Sequence, residues 1–201
     1  MKNIGNAEAS ADVWNRLYER NATAWTSVGL SPITESLLKR HASGQSLLEI
    51  GCGIGTDALT LKALGFDYLG IDASQAAIRS AVARTTPAIR FKCDDFFTFR
   101  PKEQFGVVYE KGFFHGLAGV RRRSAFVRRL ATILNPNGLW VSVCGSADHR
   151  RSDFSHGALY LRDLVGPAEI FFEVMEIVKA PYGLLESSCD FQAWHAAFRR
   201  R

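Results

Sequence analysis

Short apolar runs alternate with segments of helical periodicity along most of this chain. The runs predict strands near 46–51, 67–72, 89–94, 105–110 and 138–145. Between them, apolar residues that recur every three to four positions predict helices near 56–65, 74–84 and 121–134. The last helix should stop at the breaker 135–138, Asn-Pro-Asn-Gly. Strands that alternate with helices are typical of a mainly parallel sheet that is covered on both faces.

Both ends of the chain depart from this alternation. After a helical segment around 160–170, the apolar runs FFEVMEIVKAP and DFQAWHAAFRR follow each other with no helix between them, which predicts an antiparallel pair at the end of the sheet. At the start, 11–20 predicts a helix with Trp14 on its apolar face. Trp25 lies in a loop-like sequence, where it could cover a ligand or pack on the domain. We expect residues 1–34 to form a helical arm or lid and residues 35–201 to form the main domain.

The segment 47–56, LLEIGCGIGT, sets an apolar strand directly against a glycine loop that contains Gly51, Cys52 and Gly53. Glycines allow the sharp turn and expose backbone amides to a ligand. Asp72 follows Gly51 by twenty-one residues, at the end of the next predicted strand, where a carboxylate can hold a ribose diol. This order of strand, loop, helix, strand and acid predicts a nucleoside-cofactor site. The alternative is a simple tight turn in which Asp72 caps the next helix.

The identity of the cofactor depends on the details of this loop. Thr56 occupies the third glycine position of the nicotinamide fingerprint, so NAD is the poorer fit. S-adenosyl-L-methionine carries an ammonium group, which Glu49 could offset directly or through water. The leading hypothesis is therefore S-adenosyl-L-methionine, with S-adenosyl-L-homocysteine as the product.

The bulk composition fits a single domain with a full core. The chain has 201 residues, of which 47% are hydrophobic. No apolar run approaches the roughly 18 residues of a membrane span, and the polar start does not resemble a signal peptide, so we expect a cytoplasmic protein without membrane contact. The four cysteines form no CxxC pair, which predicts free thiols and no metal site.

The net charge of +5 raises the question of nucleic acid. Arginines cluster in 121–129, but the apolar residues of that segment follow helical spacing, so the arginines would occupy the solvated face of an amphipathic helix. Aromatic residues are not interleaved with them as in a single-strand platform, which disfavours nucleic acid. A binding module that holds an acidic partner or RNA on this basic face remains the alternative to an enzyme.

With these motifs in place, the chain resembles the class I S-adenosylmethionine-dependent methyltransferases over roughly residues 35–200. LLEIGCGIGTDAL resembles the family's first motif, YLGIDAS with Asp72 and Ala73 its ribose acid, IRFKCDDFF its adenine-contacting turn, and LNPNGLWVSV its helix-to-strand turn. The resemblance implies a Rossmann-like, doubly wound, seven-stranded α/β sheet with an antiparallel C-terminal strand and helices on both faces. It also implies that Asp95 accepts from the adenine amino group and that the Phe96 amide meets the ring, with Asp94 as the alternative acid.

Within that superfamily, the chain is most similar to the thiopurine and thiol methyltransferase-like branch, through WNRLYERNATAW, DFF and VYEKGFFHGLAGVRRRSAFVRRL. The branch typically carries Asp-Arg where this chain has Glu110 and Lys111, which retains charge but changes geometry. We expect Glu110 to face the cofactor and either Lys111 or His115 to face the nucleophile. His115 could act as a general base, whereas Lys111 could stabilise a thiolate.

These expectations lead to one functional hypothesis. The enzyme would transfer a methyl group by in-line displacement to a small-molecule acceptor, with thiols and hydroxyls favoured. Alignment of the reactants can contribute on the order of 7 to 11 kcal/mol to such a reaction. The loop that carries His149 and His156 could cover a substrate, but its spacing does not predict a metal site. The sequence leaves the acceptor and the oligomeric state open.

Overall fold

The computed structural model describes residues 10–23, 26, 29–42, 44–148, 158–183 and 191–201. Its strands are β1 (Ser46–Ile50), β2 (Asp67–Asp72), β3 (Arg90–Cys93), β4 (Phe105–Lys111), β5 (Leu134–Gly145), β6 (Phe172–Pro181) and β7 (Gln192–Arg200). Its helices are α1 (Ala11–Glu19), α2 (Pro32–His41), α3 (Ala58–Ala63), α4 (Gln75–Arg84), α5 (Gly119–Ile133) and α6 (Leu161–Ala168), with a short 3-10 helix at Phe114–Gly116.

The strands form one seven-stranded sheet in the order β3-β2-β1-β4-β5-β7-β6. The first five strands pair in parallel, whereas β7 pairs antiparallel with both β5 and β6. The chain therefore has the predicted fold class, including the antiparallel C-terminal strand. The strand order reverses between β1 and β4, and in such sheets ligands bind at the carboxyl ends of the strands near that reversal.

Buried apolar side chains cover both faces of the sheet. One cluster includes Phe126 and Leu130 of α5 with Leu164 of α6, and the other includes Leu37 of α2 with Leu61 of α3. Helices thus pack on both faces, as predicted. Because successive strand residues point to opposite faces, each strand that leads to the carboxyl edge presents alternate side chains to different helices.

Helix α2 is absent from the sequence-based prediction. Its N-cap Ser31 accepts a hydrogen bond from the Thr34 amide, and Pro32 occupies the first turn, so the local start signal is a regular one. The helix packs against β5, β6 and β7. The predicted boundary between residues 34 and 35 falls inside this helix.

The breaker 135–138 ends α5 at Ile133, as expected, but it lies within the bounds of β5. The pairing of β4 with β5 jumps from Phe105–Leu134 to Val107–Leu139, so the intervening residues form a bulge. Asn137 has a φ of 60° there. Strand β5 therefore begins four residues earlier than predicted, with an interruption at the proline and glycine.

The N-terminal helix α1 lies on α4 near the carboxyl edge of the sheet. The side-chain oxygen of Asn15 accepts hydrogen bonds from the Ser74 hydroxyl at 2.9 Å and from the Ala76 amide at 3.1 Å, which fixes α1 at the start of α4. None of the helices among the described residues combines the length and the apolar character that a transmembrane span requires.

Candidate functional site

The glycine loop after β1 adopts the conformation that its sequence predicts. Gly51, Gly53 and Gly55 have φ values of 67°, 54° and 71°, which L side chains rarely adopt. The Cys52 amide donates to the Ile71 carbonyl at 3.0 Å, which ties the loop to β2. Cys52 buries its side chain, so only its backbone forms part of the loop surface.

Asp72 binds this loop through its carboxylate. One oxygen accepts from the Gly53 amide at 2.9 Å, and the other accepts from the Ser74 amide at 2.8 Å. Burial raises the pKa of Asp72, and the two amide hydrogen bonds lower it. Each oxygen keeps a second lone pair, so the carboxylate is oriented by the backbone and can still accept hydroxyl hydrogens. Ala73 follows at the same edge, where its carbonyl accepts from the Cys93 thiol at 3.6 Å.

Tyr18 of α1 covers the glycine loop. Its hydroxyl oxygen lies 2.8 Å from the point where a Cβ would stand at Gly53. A side chain at that position would therefore meet both a strained backbone and the tyrosine. The N-terminal helix thus contributes directly to the surroundings of the predicted cofactor loop.

Glu49 lies just below the loop and is 3% exposed. Its Oε2 accepts a hydrogen bond from the Tyr68 hydroxyl at 2.5 Å. Burial and the neighbouring carboxylate of Asp57 raise the pKa of Glu49 to about 8, although the Tyr68 hydrogen bond acts in the opposite direction. A carboxyl group with that pKa is mainly protonated at neutral pH.

Asp57 is a site residue that the sequence analysis missed. It is fully buried at the start of α3, and its Oδ2 accepts from the Tyr109 hydroxyl at 2.8 Å. The Nζ of Lys111 lies 2.6 Å from the same oxygen. The Lys111 ammonium therefore faces a buried carboxylate, whereas the sequence analysis offered it, as the alternative to His115, to face the nucleophile. The other Asp57 oxygen, Oδ1, has no hydrogen-bond partner among the described residues.

Glu110 turns away from this cluster, contrary to the expectation that it faces the cofactor. It is completely buried on the opposite face of β4, where it accepts from the Ser142 hydroxyl and, at 2.9 Å, from the Phe114 amide. The reason is strand alternation, since Tyr109 and Lys111 point to one face and Glu110 to the other. Burial raises the pKa of Glu110 to about 7, against these hydrogen bonds, which lower it.

His115 lies in the 3-10 helix beyond β4, beside the end of β5. Its Nδ1 accepts a hydrogen bond from the Gly145 amide at 2.8 Å, so this nitrogen carries no proton and the neutral ring is protonated on Nε2. Gly112 has a φ of 85°, and Nε2 lies 3.5 Å from the point where a Gly112 Cβ would stand. The Tyr182 hydroxyl approaches the same point at 2.5 Å. Gly112 therefore leaves room for two ring systems.

The predicted adenine-contacting turn lies at the end of β3. Asp95 is exposed, and its Oδ1 accepts from the Phe97 amide at 2.8 Å, so part of this carboxylate stabilises the turn. Asp94 pairs with Lys92 at 2.8 Å, and its amide donates to the Asp72 carbonyl. Phe96 is buried in an aromatic cluster, so only its backbone could meet a ligand.

The structure therefore brings the glycine loop, Glu49 and Asp72 together with Lys111 at one edge of the sheet. Asp57 and the buried tyrosines Tyr68 and Tyr109 also belong to this cluster, whereas Glu110 lies on the opposite face of β4. The predicted residue Trp25 lies outside the described residues, as do His149 and His156. The three described cysteines are free thiols.

The arginines of α5 divide into two groups. Arg122 stacks on the Phe97 ring, Arg123 donates to the Leu117 carbonyl, and Arg129 donates to the backbone carbonyls of Phe96 and Phe99. Arg121 and Arg128 are exposed. The predicted fully solvated basic face is thus only partly present, because three of its guanidinium groups pack on the protein itself.

Comparison with known proteins places this site in a family. A family model described as a methyltransferase domain matches residues 22–165. The chain is 27% identical to a probable thiol methyltransferase 2 of Arabidopsis thaliana over 72% of this chain and 66% of that protein. It is 30% identical to a ubiquinone biosynthesis O-methyltransferase of Bradyrhizobium diazoefficiens over 63% of this chain and 44% of that protein. The chain thus spans less than two thirds of these relatives.

Solved structures agree on the fold. A structure solved for the conversion of a disulfide bond into a thioacetal group during echinomycin biosynthesis has a TM-score of 0.78 at 21% identity, covering 94% of this chain and 92% of that one. The N-methyltransferase NodS of Bradyrhizobium japonicum WM9, in complex with S-adenosyl-L-homocysteine, has a TM-score of 0.66 at 21% identity, covering 92% and 90%. The matches confirm the resemblance to class I S-adenosylmethionine-dependent methyltransferases, and this chain belongs to the methyltransferase domain family.

Proposed function

We propose that the protein is an S-adenosylmethionine-dependent methyltransferase that acts on a small-molecule acceptor, with a thiol preferred to a hydroxyl. The observation that carries this proposal is the position of the glycine loop, Glu49 and Asp72 at the carboxyl edge of the sheet, next to its order reversal. Open α/β sheets bind their ligands at that edge. The family of the chain supports the same activity.

The residues present fit this cofactor by their chemistry. Asp72 is held by loop amides in an orientation suited to two hydroxyl groups, and positive φ values leave the loop surface free of Cβ atoms. Below the loop lie two further acidic side chains, Glu49 and Asp57, and the ammonium of Lys111 pairs with Asp57. This excess of acid suits a ligand with a cationic amino-acid end and disfavours a pyrophosphate.

In this proposal, Asp72 holds the ribose, the 94–96 turn holds the adenine, and Glu49 holds the ammonium. When bound, S-adenosylmethionine would supply a methyl group on a sulfonium centre. The leaving group of the transfer is the neutral thioether. The protein therefore needs to align the acceptor and exclude water. Tyr18 supports a covering role for the N-terminal segment 1–34, and the lid role of Trp25 remains part of the proposal.

The preference for a thiol follows from the groups beyond β4. Nδ1 of His115 is occupied by the Gly145 amide, and Nε2 carries the proton, so the ring is arranged as a donor and not as a base. Lys111 is paired with Asp57 and serves to position the loop. An acceptor that ionises by itself near neutral pH needs no base, and thiols do so far more readily than alcohols. A relative named as a thiol methyltransferase agrees with this preference.

A hydroxyl acceptor is the second candidate, since another relative is named as an O-methyltransferase. A hydroxyl acceptor would require a general base. Among the described residues beyond β4, His115 could act as that base only if its ring changed tautomer, so that Nε2 lost its proton. The hypothesis that the protein holds an acidic partner with its α5 arginines has less support still, because three of these arginines pack on the domain. The cytoplasmic location and the arm at 1–34 stay predictions.

The test combines binding and turnover. Calorimetry should show micromolar binding of S-adenosylmethionine and S-adenosylhomocysteine to the wild type, and Asp72→Ala should lose it. Methyl transfer should then be measured with matched thiol, phenol and amine panels. Higher kcat/KM for thiols supports the proposal. Binding of the cofactor without methyl transfer to any compound of the three panels would refute the proposal that the protein is a methyltransferase. Absence of cofactor binding would refute the proposed cofactor site.

A further inference from the structure

Glu49 is surrounded by ionisable groups on every element that packs against it. Its own loop contributes the Cys52 thiol, β2 contributes Tyr68 and Asp72, and the start of α3 contributes Asp57. Strand β4 contributes Tyr109, which is in register with Glu49, and Lys111 two residues further along the same face. Glu49 as a whole is 3% exposed, so water screens these interactions weakly.

The cations and anions in this cluster are out of balance. Three carboxylates, Glu49, Asp57 and Asp72, share one ammonium, and that ammonium lies 2.6 Å from Asp57. Asp72 is stabilised by two backbone amides. Glu49 has one hydrogen bond among the described residues, from the Tyr68 hydroxyl, and no cation of its own. A buried carboxylate with so little support is costly, and such a group takes up a proton instead.

We propose that Glu49 holds a proton until the cofactor binds, and that the ammonium of the cofactor replaces this proton, which leaves to solvent. The inference rests on the proposed function, since it assigns the ammonium end of S-adenosylmethionine to Glu49. In the exchange, the O–H bond of Glu49 breaks, the carboxylate pairs with the ligand ammonium, and one proton passes to the buffer. No other group changes its charge.

Linkage gives the expected magnitude. Burial and Asp57 raise the pKa of Glu49 to about 8, so the carboxyl group is protonated below that pH in the ligand-free protein. If the bound state is ionised, affinity rises about tenfold for each pH unit between pH 6 and 7.5, because each binding event must release one proton. The range stops at 7.5 because an α-amino group itself titrates near pH 8.

The experiment is calorimetry of S-adenosylmethionine with the full chain at pH 6.5, in two buffers that differ in ionisation enthalpy. The difference in observed heat gives the number of protons released, which we expect to be about one. S-adenosylhomocysteine should release the same number, because it keeps the ammonium. 5′-Methylthioadenosine lacks the amino-acid end and should bind without releasing a proton.

Two variants test whether Glu49 is the group that releases the proton. Glu49→Gln mimics the protonated form, so it should release no proton, and its affinity should be flat between pH 6 and 7.5. Tyr68→Phe removes a hydrogen bond that favours the ionised form, so it should still release a proton but bind several-fold more weakly at pH 7.5. Far-UV circular dichroism establishes that each variant is folded.

The outcomes are distinguishable. Binding of S-adenosylmethionine to the wild type without proton release overturns this inference and leaves the proposed function intact. Proton release that persists in folded Glu49→Gln also overturns it, because the proton would come from another group. Failure of the wild type to bind either ligand at any pH overturns the proposed function itself.

Discussion

The ammonium of Lys111 and the carboxylate of Asp57 form a buried ion pair at 2.6 Å, with 12% and 0% of the side chains exposed. The pair joins the end of β4 to the first residue after the glycine loop. Tyr109 donates to the same carboxylate oxygen. The three groups therefore hold the loop and the strand in one relative position, beside the proposed cofactor site.

Removing either partner of this ion pair should strongly destabilise the fold. Lys111→Met leaves Asp57 without its cation, and Asp57→Asn leaves a buried ammonium, so each should lower the free energy of unfolding by about 3 to 5 kcal/mol. The double variant should cost clearly less than the sum, because no unpaired charge remains. Urea unfolding at pH 7 measures the cycle. Strict additivity would show that the pair is not coupled.

The pair Arg90–Asp67 is the matched control. Its nitrogen and oxygen are 2.8 Å apart, but its side chains are 58% and 62% exposed. Arg90→Met and Asp67→Asn should each change the free energy of unfolding by less than about 1 kcal/mol. The contrast isolates burial as the cause.

Gly53→Ala should reduce cofactor binding at least tenfold. The new Cβ would lie 2.8 Å from the Tyr18 hydroxyl, on a backbone with φ of 54°, so either Tyr18 is displaced from the loop or the loop and its amide to Asp72 shift. Gly65→Ala is the control, since its φ is 93° and no non-adjacent atom of the described residues lies within 4 Å of the new Cβ. That variant should lose about 1 kcal/mol of stability and keep wild-type binding. Equal binding loss in both would refute a local role for Gly53.

His115→Asn tests the assignment of the ring as a donor. The asparagine oxygen can accept from the Gly145 amide as Nδ1 does, so the fold should be retained. With an acidic thiol as acceptor, we expect kcat to fall less than about tenfold, which is below the roughly 10²- to 10⁴-fold contribution of a general base. The pH profile should follow ionisation of the thiol in both proteins. A loss of a hundredfold or more, with a changed pH profile, would restore His115 as a base.

The raised pKa of Glu110 should make the fold less stable as the pH rises. Its pKa is about 7 in the fold against an ordinary value of 4.5, so the folded state binds the proton more tightly than the unfolded state. Its contribution is therefore fully present below about pH 4.5 and is lost as pH rises to about 7. Urea unfolding at pH 5 and 8 should show a decrease in the wild type. Glu110→Gln should show a smaller decrease, by up to about 3 kcal/mol. The same decrease in both proteins would exclude Glu110 as a source.

The central strands of the sheet were predictable because they are mainly apolar, and the glycine loop because it is a local signal. Helix α2 was missed although Ser31 and Pro32 provide a regular start, because its apolar residues are few and its burial depends on β5 to β7. The bulge in β5 was also hidden, since Asn-Pro-Asn-Gly indicates a break in the chain whether or not a strand continues through it.

The site was predictable in its backbone and less so in its charges. Asp72 and the loop are fixed by local order, whereas the partners of Lys111 and Glu110 come from residues 54 and 32 positions away in the chain. Strand alternation would have separated Glu110 from Lys111. A buried tyrosine in each of β2 and β4 was the available signal for polar groups beneath the loop.

The insertion of β7 between β5 and β6 has a consequence for how the chain folds. Among the described strands, β6 pairs with β7 alone and precedes it in the chain, so it lacks this sheet partner until residues 192–200 have been synthesised. We expect β1 to β5 to assemble early and β6 to stay unprotected until the last strand arrives. Pulsed hydrogen exchange during refolding would detect this order, and simultaneous protection of β2 and β6 amides would contradict it.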